Sequence, residues 1–122
     1  MPKFIFSKTI FASLILVLLI SSCASKEDII PVGIIEPAKM TKILVDMQIV
    51  ESTLMHIQQN GMNADKYKKT LYNLVFKKYK ISKKTFEKSF TYYSLNNLKL
   101  LDKIYANVIT SLSQKQSLIK SQ

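Results

Sequence analysis

Glu51 is the residue whose type and position most invite a chemical role. If the chain from Pro37 onward is helical, steps of 100° per residue place Glu51 on an apolar helix face. The apolar residues that share this face are Met40, Leu44, Met47 and Leu54. A carboxylate in that position needs a partner, because a buried charge without one is costly or becomes neutral.

Lys78 is the partner that the sequence offers for Glu51. It falls on the apolar face of the second predicted helix, and the hydroxyl of Tyr93 or Tyr105 could also reach the carboxylate. The pattern favours a structural buried pair of Glu51 and Lys78, which fixes the register of two helices, over a binding role. Catalysis would need a second acid or base, and Asp46 lies too far round the helix to serve.

The other reactive residue types do not assemble a catalytic or metal site in the sequence. His56 is the only histidine, and the helical pattern places it on a polar side near a helix C-terminus. One histidine and one cysteine cannot form a catalytic triad or a two-histidine metal site. We therefore expect no enzyme, no metal and no dissociable cofactor, with Glu51 as the one residual candidate for catalysis.

Cys23 is the only cysteine, and its surroundings predict covalent lipidation. Lys3 and Lys8 precede an apolar run from residue 10 to residue 20, and the small residues Ser21 and Ser22 lead directly to Cys23. A positive region, a short apolar run and small residues form a secretory signal. The ending resembles the lipobox of bacterial lipoproteins, whose cysteine thiol receives a diacylglyceryl group before cleavage. We expect residues 1–22 to be the signal peptide and Cys23 to carry the lipid.

Two alternatives for this N-terminal segment are weaker. A membrane-spanning helix needs about 20 apolar residues, whereas here the run is interrupted at Ser21 and is followed by charges at residues 26–28. An ordinary signal peptide that leaves a free thiol would favour an Ala-x-Ala cleavage site, which is absent. Acylation also explains a single cysteine in an oxidising compartment.

A lysine-rich segment carries the excess charge. The chain has a formal net charge of +10, and nine lysines stand between residues 66 and 88 against one acid, Glu87. Helical spacing places four of them on one side of the second helix, and we take these as candidate anion-binding residues. They are Lys66, Lys69, Lys77 and Lys80. The alternative is a solvated lysine face in a lysine-rich protein, which is the commoner meaning of such a stripe.

The elements that must position these residues are helices. Residues 23–36 form a tether, whose apolar second half we expect to lie in a groove of a domain spanning residues 37–122. Proline, glycine and capping residues divide that domain into an all-α compact bundle of about four short helices. The predicted boundaries are Pro37, Gly61, Asn63, Ser82 and Asn97 or Asn96, with a frayed tail beyond Ser113.

Each predicted helix has an apolar face. The first face carries Met40, Ile43, Leu44, Met47, Val50 and Leu54, and the second carries Tyr67, Leu71, Leu74 and Val75. The third carries Phe86, Phe90 and Tyr93, and the fourth carries Leu98, Leu101, Tyr105, Val108, Ile109 and Leu112. Spacings of three and four residues along each set predict packing against a common core.

A set of packing and capping residues within about residues 34–112 carries a resemblance to a known family. These are Lys39-Met40, Ile43 to Met47, Glu51, Tyr79 to Ser82, Phe86, Tyr92-Tyr93 and Leu101 to Val108. In these residues the chain resembles a family of small lipoproteins of unknown function that is common in Bacteroidetes. The family usually places its proline one position earlier than Pro37. The resemblance implies a helical fold and an envelope location, and no activity.

The same resemblance implies a location, whereas the apolar tether and the aromatic-rich helices indicate a protein partner. Ala24 lacks the aspartate that retains enteric lipoproteins at the inner membrane, and residues 26–28 resemble a short acidic surface-export signal, so we expect the outer membrane. Export argues against nucleic acid as a partner. The expected function is a non-enzymatic accessory module, anchored to the membrane by its lipid, that binds another envelope protein. The alternative is binding of anionic lipid headgroups or another polyanion through the lysine face.

Overall fold

Four helices make up the described part of the molecule. The computed structural model describes residues 29–121, and no strand occurs among them. The helices are α1 (Pro37–Gln59), α2 (Asp65–Lys78), α3 (Lys83–Asn96) and α4 (Leu98–Lys120). The prediction of an all-α bundle of four helices is confirmed. The predicted signal peptide and Cys23 lie outside the described residues.

α1 forms the centre of the bundle, with α2 and α4 packed against it and α3 packed against α4. Pro37 stands in its first turn, where a missing N–H costs nothing, and Gly61 follows its end with a φ of +75°. All six residues of its predicted apolar face are buried. The spacing of three and four residues therefore identified the core side of this helix correctly.

Side-chain caps set the starts of α3 and α4. The Ser82 Oγ accepts a hydrogen bond from the N–H of Thr85 at 3.0 Å, and the Asn97 Oδ1 accepts one from Leu100 at 3.1 Å. Both caps satisfy N–H groups that have no partner within the helix. At the start of α2 the Asn63 side chain accepts a hydrogen bond from Asp65, although Ala64 holds the cap position itself.

The fourth helix differs from its prediction in two respects. Leu100 and Ile104 are buried with Leu101 and Val108, whereas Leu98, Tyr105 and Ile109 are exposed. The buried stripe is thus rotated away from the predicted face, because nearly half of this helix is apolar and several faces were possible. The predicted fraying beyond Ser113 is also wrong, since α4 continues to Lys120 alongside α1.

The second helix contributes less to the core than predicted. Val75 and Phe76 are buried and Leu71 is partly buried, but Tyr67 and Leu74 are exposed. An aromatic contact joins this helix to the next one, with the ring centroids of Phe76 and Phe86 separated by 5.8 Å. Both rings line an open groove between the two helices.

The tether enters the fold at α3. Ile35 is buried and Ile30 and Ile34 are partly buried, whereas Ile29 and Val32 are exposed. The expectation that the apolar second half of the tether lies in a groove is therefore confirmed only in part. The Ile35 N–H donates a hydrogen bond to Ser89 Oγ at 2.9 Å, and Tyr93 Oη donates one to the Ile35 carbonyl at 2.5 Å. Both backbone groups of one tether residue are therefore satisfied by side chains one helical turn apart.

Candidate functional site

The four candidate anion-binding lysines are all exposed. Lys66, Lys69 and Lys77 lie on α2, and Lys80 lies in the turn that follows it. Within residues 29–121 the ion pairs are Lys78–Asp46 and Lys83–Glu87, so none of the four has an acidic side chain at ion-pair distance there. Their charges are available to an external anion.

The spacing of these lysines determines what kind of anion they suit. Lys66 and Lys77 are eleven residues apart on one helix, which at 1.5 Å per residue is about 16 Å along its axis. A single phosphate cannot contact both ends of such a row. The arrangement suits an extended anionic surface, and it does not form a closed anion pocket.

Lys80 has an unusual backbone conformation because it closes the last turn of α2. Its φ of +52° is in the left-handed region, and the N–H of Ile81 donates to the carbonyl of Phe76 at 3.1 Å. This is the hydrogen bond of a Schellman-type helix end, in which a left-handed residue closes the last turn. The conformation of Lys80 is therefore explained by capping and needs no ligand.

An open groove between α2 and α3 adjoins the lysine face. Its volume is about 660 Å³, and its apolar lining consists of Met47, Tyr72, Phe76 and Phe86. The polar residues around it are Asp65, Lys68, Lys69, Asn73, Lys83 and Glu87. An apolar floor with a polar rim is the usual composition of a protein or ligand contact surface. The sequence contained no signal for this groove, because the groove depends on the relative placement of α2 and α3.

The predicted buried pair of Glu51 and Lys78 is wrong. Glu51 is exposed at the edge between α1 and α2, where Tyr72 donates a hydrogen bond to its carboxylate. Lys78 is also exposed and pairs with Asp46 at 2.6 Å. The two helices run antiparallel, so Lys78 near the end of α2 meets the first half of α1, whereas Glu51 lies further along α1 opposite Tyr72.

Asp46 is the polar centre that sequence reasoning missed. Its carboxylate accepts hydrogen bonds from Lys78 at 2.6 Å and from Tyr79 at 2.8 Å. Burial alone would raise the pKa of Asp46, but these two hydrogen bonds and the charges of Lys78 and Lys115 lower that pKa below its ordinary value. Lys78 and Tyr79, at the end of α2, thus both donate hydrogen bonds to one carboxylate on α1. The contact holds the two helices together and is structural.

His56 is exposed in the last turn of α1 and lines a second open groove, between α1 and α4. That groove has a volume of about 650 Å³ and includes Ile49, Leu112, Lys115 and Ile119. The position agrees with the polar placement predicted for His56. Neighbouring groups in the groove are amides, hydroxyls and a lysine, and they supply no acid–base partner for the imidazole.

Metal-ligating residue types do not cluster in residues 29–121, where no group of three or more His, Cys, Asp or Glu side chains could hold an ion. In the same part of the chain, no helix has the length and apolar character needed to cross a membrane.

A small all-α domain with an exposed basic face and open surface grooves is the class of protein that these features define. Residues 31–117 match the model of a family described as Domain of unknown function (DUF4296), and the chain belongs to that family. This confirms the expectation of a family of unknown function over most of the domain. No curated protein and no solved structure matches the chain.

Proposed function

We propose that the protein is a lipid-anchored, non-enzymatic module of the bacterial cell envelope that binds another envelope protein as an accessory subunit. The single observation that carries this proposal is the α2–α3 groove, with its apolar floor open to solvent. Buried aromatic and aliphatic side chains at the centre of a polar rim are typical of protein interfaces. Phe76 and Phe86 supply such a centre here.

The lipid anchor in this proposal rests on Cys23. The residue follows a short apolar run and two serines, the arrangement from which lipidation is predicted. An outer-membrane location rests on Ala24 and on the charged residues 26–28. The expected result for Cys23→Ser is an unacylated precursor that retains residues 1–22. Normal maturation of this variant, measured by mass spectrometry of the purified chain, would contradict the anchor.

The non-enzymatic character rests on the chemistry of the available groups. Glu51 is exposed and hydrogen-bonded to Tyr72, and Asp46 is held by Lys78 and Tyr79. Glu51 shares an open cavity of about 350 Å³ with Asp65 and Lys68. The other side chains that line this cavity are apolar or amide groups, so they add no further acid, base or nucleophile for catalysis.

Site-specific crosslinking in cells tests the groove. A photoreactive benzoyl-phenylalanine at position 73, in the groove, is compared with the same residue at position 102, which is exposed on α4. We expect one envelope protein to be captured from position 73 and not from position 102. Capture of no protein from position 73, or of the same set from both positions, would contradict a partner site in the groove.

A second candidate function is binding of anionic lipid headgroups through the lysine face. The observation in its favour is that Lys66, Lys69, Lys77 and Lys80 are exposed without ion-pair partners in the described part of the chain. Each basic residue near an anionic surface adds about 1 kcal/mol to binding. Such binding weakens as salt screens the charges.

Vesicle binding tests this candidate. The chain from residue 24 onward, which has neither the predicted signal peptide nor Cys23, is mixed with phosphatidylglycerol vesicles at low and at physiological salt. Replacement of the four lysines by glutamine is expected to abolish binding. The matched control replaces four other exposed lysines, Lys39, Lys42, Lys99 and Lys103, with the same change in net charge. Equal losses from both variants would show that net charge alone acts and that the face has no specific role.

A further inference from the structure

A tight turn at the start of the described chain exposes apolar side chains to solvent. The Ile34 N–H donates a hydrogen bond to the Pro31 carbonyl at 3.1 Å, and Gly33 supports the turn with a φ of +83°. Val32 at the tip is fully exposed, and Ile29 just before the turn is 91% exposed. These are the two most exposed large apolar residues in the described chain.

The turn is held firmly against the domain. Its next residue, Ile35, is fixed through both backbone groups by Ser89 and Tyr93, whose side chains are fully buried. The ammonium group of Lys88 lies 3.4 Å from the position that a Cβ on Gly33 would occupy. Val32 therefore projects from a rigid base on α3, next to a cationic group.

The length of chain before the turn limits its distance from the anchor. Pro31 lies eight residues after Cys23, and an extended chain spans at most about 3.6 Å per residue, or roughly 29 Å. A lipid on Cys23 would hold the turn within that distance of the bilayer. Because the anchor raises the local concentration of the surface, a weak contact is enough to keep the domain in one orientation.

We propose that the Pro31–Ile34 turn docks on the phospholipid bilayer, with Val32 and Ile29 in the interfacial region and Lys88 at lipid phosphates. Apolar side chains flanked by lysine are the composition of peripheral membrane contacts. Glu36 is also exposed nearby and offsets part of the lysine charge, so apolar insertion supplies most of the contact. This inference rests on the lipid anchor of the proposed function, and it goes further by assigning the face of the domain that meets the membrane.

The experiment uses the mature acylated chain reconstituted into vesicles of phosphatidylethanolamine and phosphatidylglycerol. Cys23 is the only natural cysteine and its thiol is acylated, so Val32→Cys introduces one reactive thiol for a fluorophore. Met62→Cys, at an exposed apolar residue between α1 and α2, is the matched control, and Lys66→Cys reports on the lysine face. Quenching by nitroxide lipids is compared with quenching by aqueous iodide.

We expect the fluorophore at position 32 to be quenched by nitroxide lipids and protected from iodide, with the reverse at positions 62 and 66. When Lys88→Gln is added to Val32→Cys, the ratio of chains with the turn docked to chains with it undocked is expected to fall about fivefold. This is the equivalent of ~1 kcal/mol for one lysine at the surface.

An acylated, vesicle-bound chain in which position 32 is as accessible to iodide as position 62 would overturn this inference alone. Lipid quenching at position 66 in place of position 32 would also overturn it, in favour of the lysine face. A chain that is not acylated and does not float with vesicles would overturn both the anchor and this inference.

Discussion

The contact between the tether and α3 and the contact between α1 and α2 both include hydrogen bonds made by polar side chains, but the first is fully buried and the second is partly open to water. At the tether, Ser89 and Tyr93 are fully buried and satisfy the backbone of Ile35. At the α1–α2 edge, Lys78 and Tyr72 reach carboxylates from the exposed side. The chemistry is similar, and the access of water differs.

This difference decides how much each contact stabilises the fold. A buried donor or acceptor that loses its partner bears its full desolvation cost, whereas an exposed group replaces its partner with water. Removing the tether contact should therefore lower the free energy of unfolding substantially, whereas removing one of the polar α1–α2 contacts should lower it only slightly. The contact of Ile35 with Ser89 and Tyr93 is thus expected to be the more stable one. The end of the tether is therefore held against the domain more firmly than α2 is held against α1 by its polar contacts.

The largest expected effect comes from Tyr93→Phe and Ser89→Ala. Each leaves one buried backbone group of Ile35 unsatisfied, which costs about 1–3 kcal/mol of unfolding free energy. Each kcal/mol corresponds to a fall of about 4–8 °C in Tm for a domain of this size. Thermal unfolding of the purified chain measures it. Tyr105→Phe, at an exposed tyrosine, is the control, and a loss equal to that of Tyr93→Phe would remove the distinction between the two environments.

Alkaline pH offers a second measure of the tether contact. Burial, and to a smaller extent the negative charge of Glu36, raises the pKa of Tyr93 to about 12 from its ordinary value of 10.0. As the pH rises, the Tyr93 hydroxyl therefore loses its proton at a lower pH in the unfolded chain than in the folded chain. The stability contributed by neutral Tyr93 is complete below about pH 10 and is lost as the pH rises toward 12. Urea unfolding at several alkaline pH values should show a weaker decline in Tyr93→Phe. An unchanged decline would place the cause at other tyrosines.

Acid pH tests the α1–α2 edge through Asp46. Because the pKa of Asp46 is lowered in the folded chain, its contribution is present above about pH 4 and is lost as the pH falls through the folded value. Lys78 is well exposed, so we expect Asp46→Asn to cost no more than about 1 kcal/mol at pH 7. The difference from wild type should vanish at low pH. Glu87→Gln, in the exposed pair with Lys83, is the control and should change nothing measurable.

The smallest effect is expected from Glu51→Gln. Its carboxylate is exposed and accepts a hydrogen bond from Tyr72, so the change in unfolding free energy should stay within about 0.5 kcal/mol. A double-mutant cycle with Tyr72→Phe measures the coupling directly. A loss as large as that of Ser89→Ala would mean that Glu51 behaves as a buried carboxylate after all.

Local signals in the sequence predicted much of the fold because they act over one or two helical turns. Pro37 and Gly61 bracket α1, and the side chains of Ser82 and Asn97 cap α3 and α4 as expected. The lysine face was also predictable, since exposed positions follow from the helical period. The candidate groove could not be predicted, because Phe76 and Phe86 lie on different helices and the helical period does not give the relative placement of two helices.

The choice of polar partners shows the limit of helical periodicity. The wheel placed Glu51 and Lys78 on apolar faces, and each does lie near the contact between α1 and α2. Which carboxylate accepts from which donor depends on how far the two antiparallel helices are shifted along each other. In the structure Asp46 accepts from Lys78, and Glu51 accepts from Tyr72.

The amino-acid sequence by itself determined where the helices begin, which side of α1 is buried and where the lysines concentrate, because these follow from capping groups and from a repeat of 3.6 residues. Only the tertiary structure decided that Leu100 and Ile104 would be buried while Tyr105 and Ile109 stay exposed, and that Ile35 would be held by Ser89 and Tyr93. The physical reason is that α4 offers more apolar surface than one neighbour can cover, so the packing of α1 and α3 selects which stripe is removed from water.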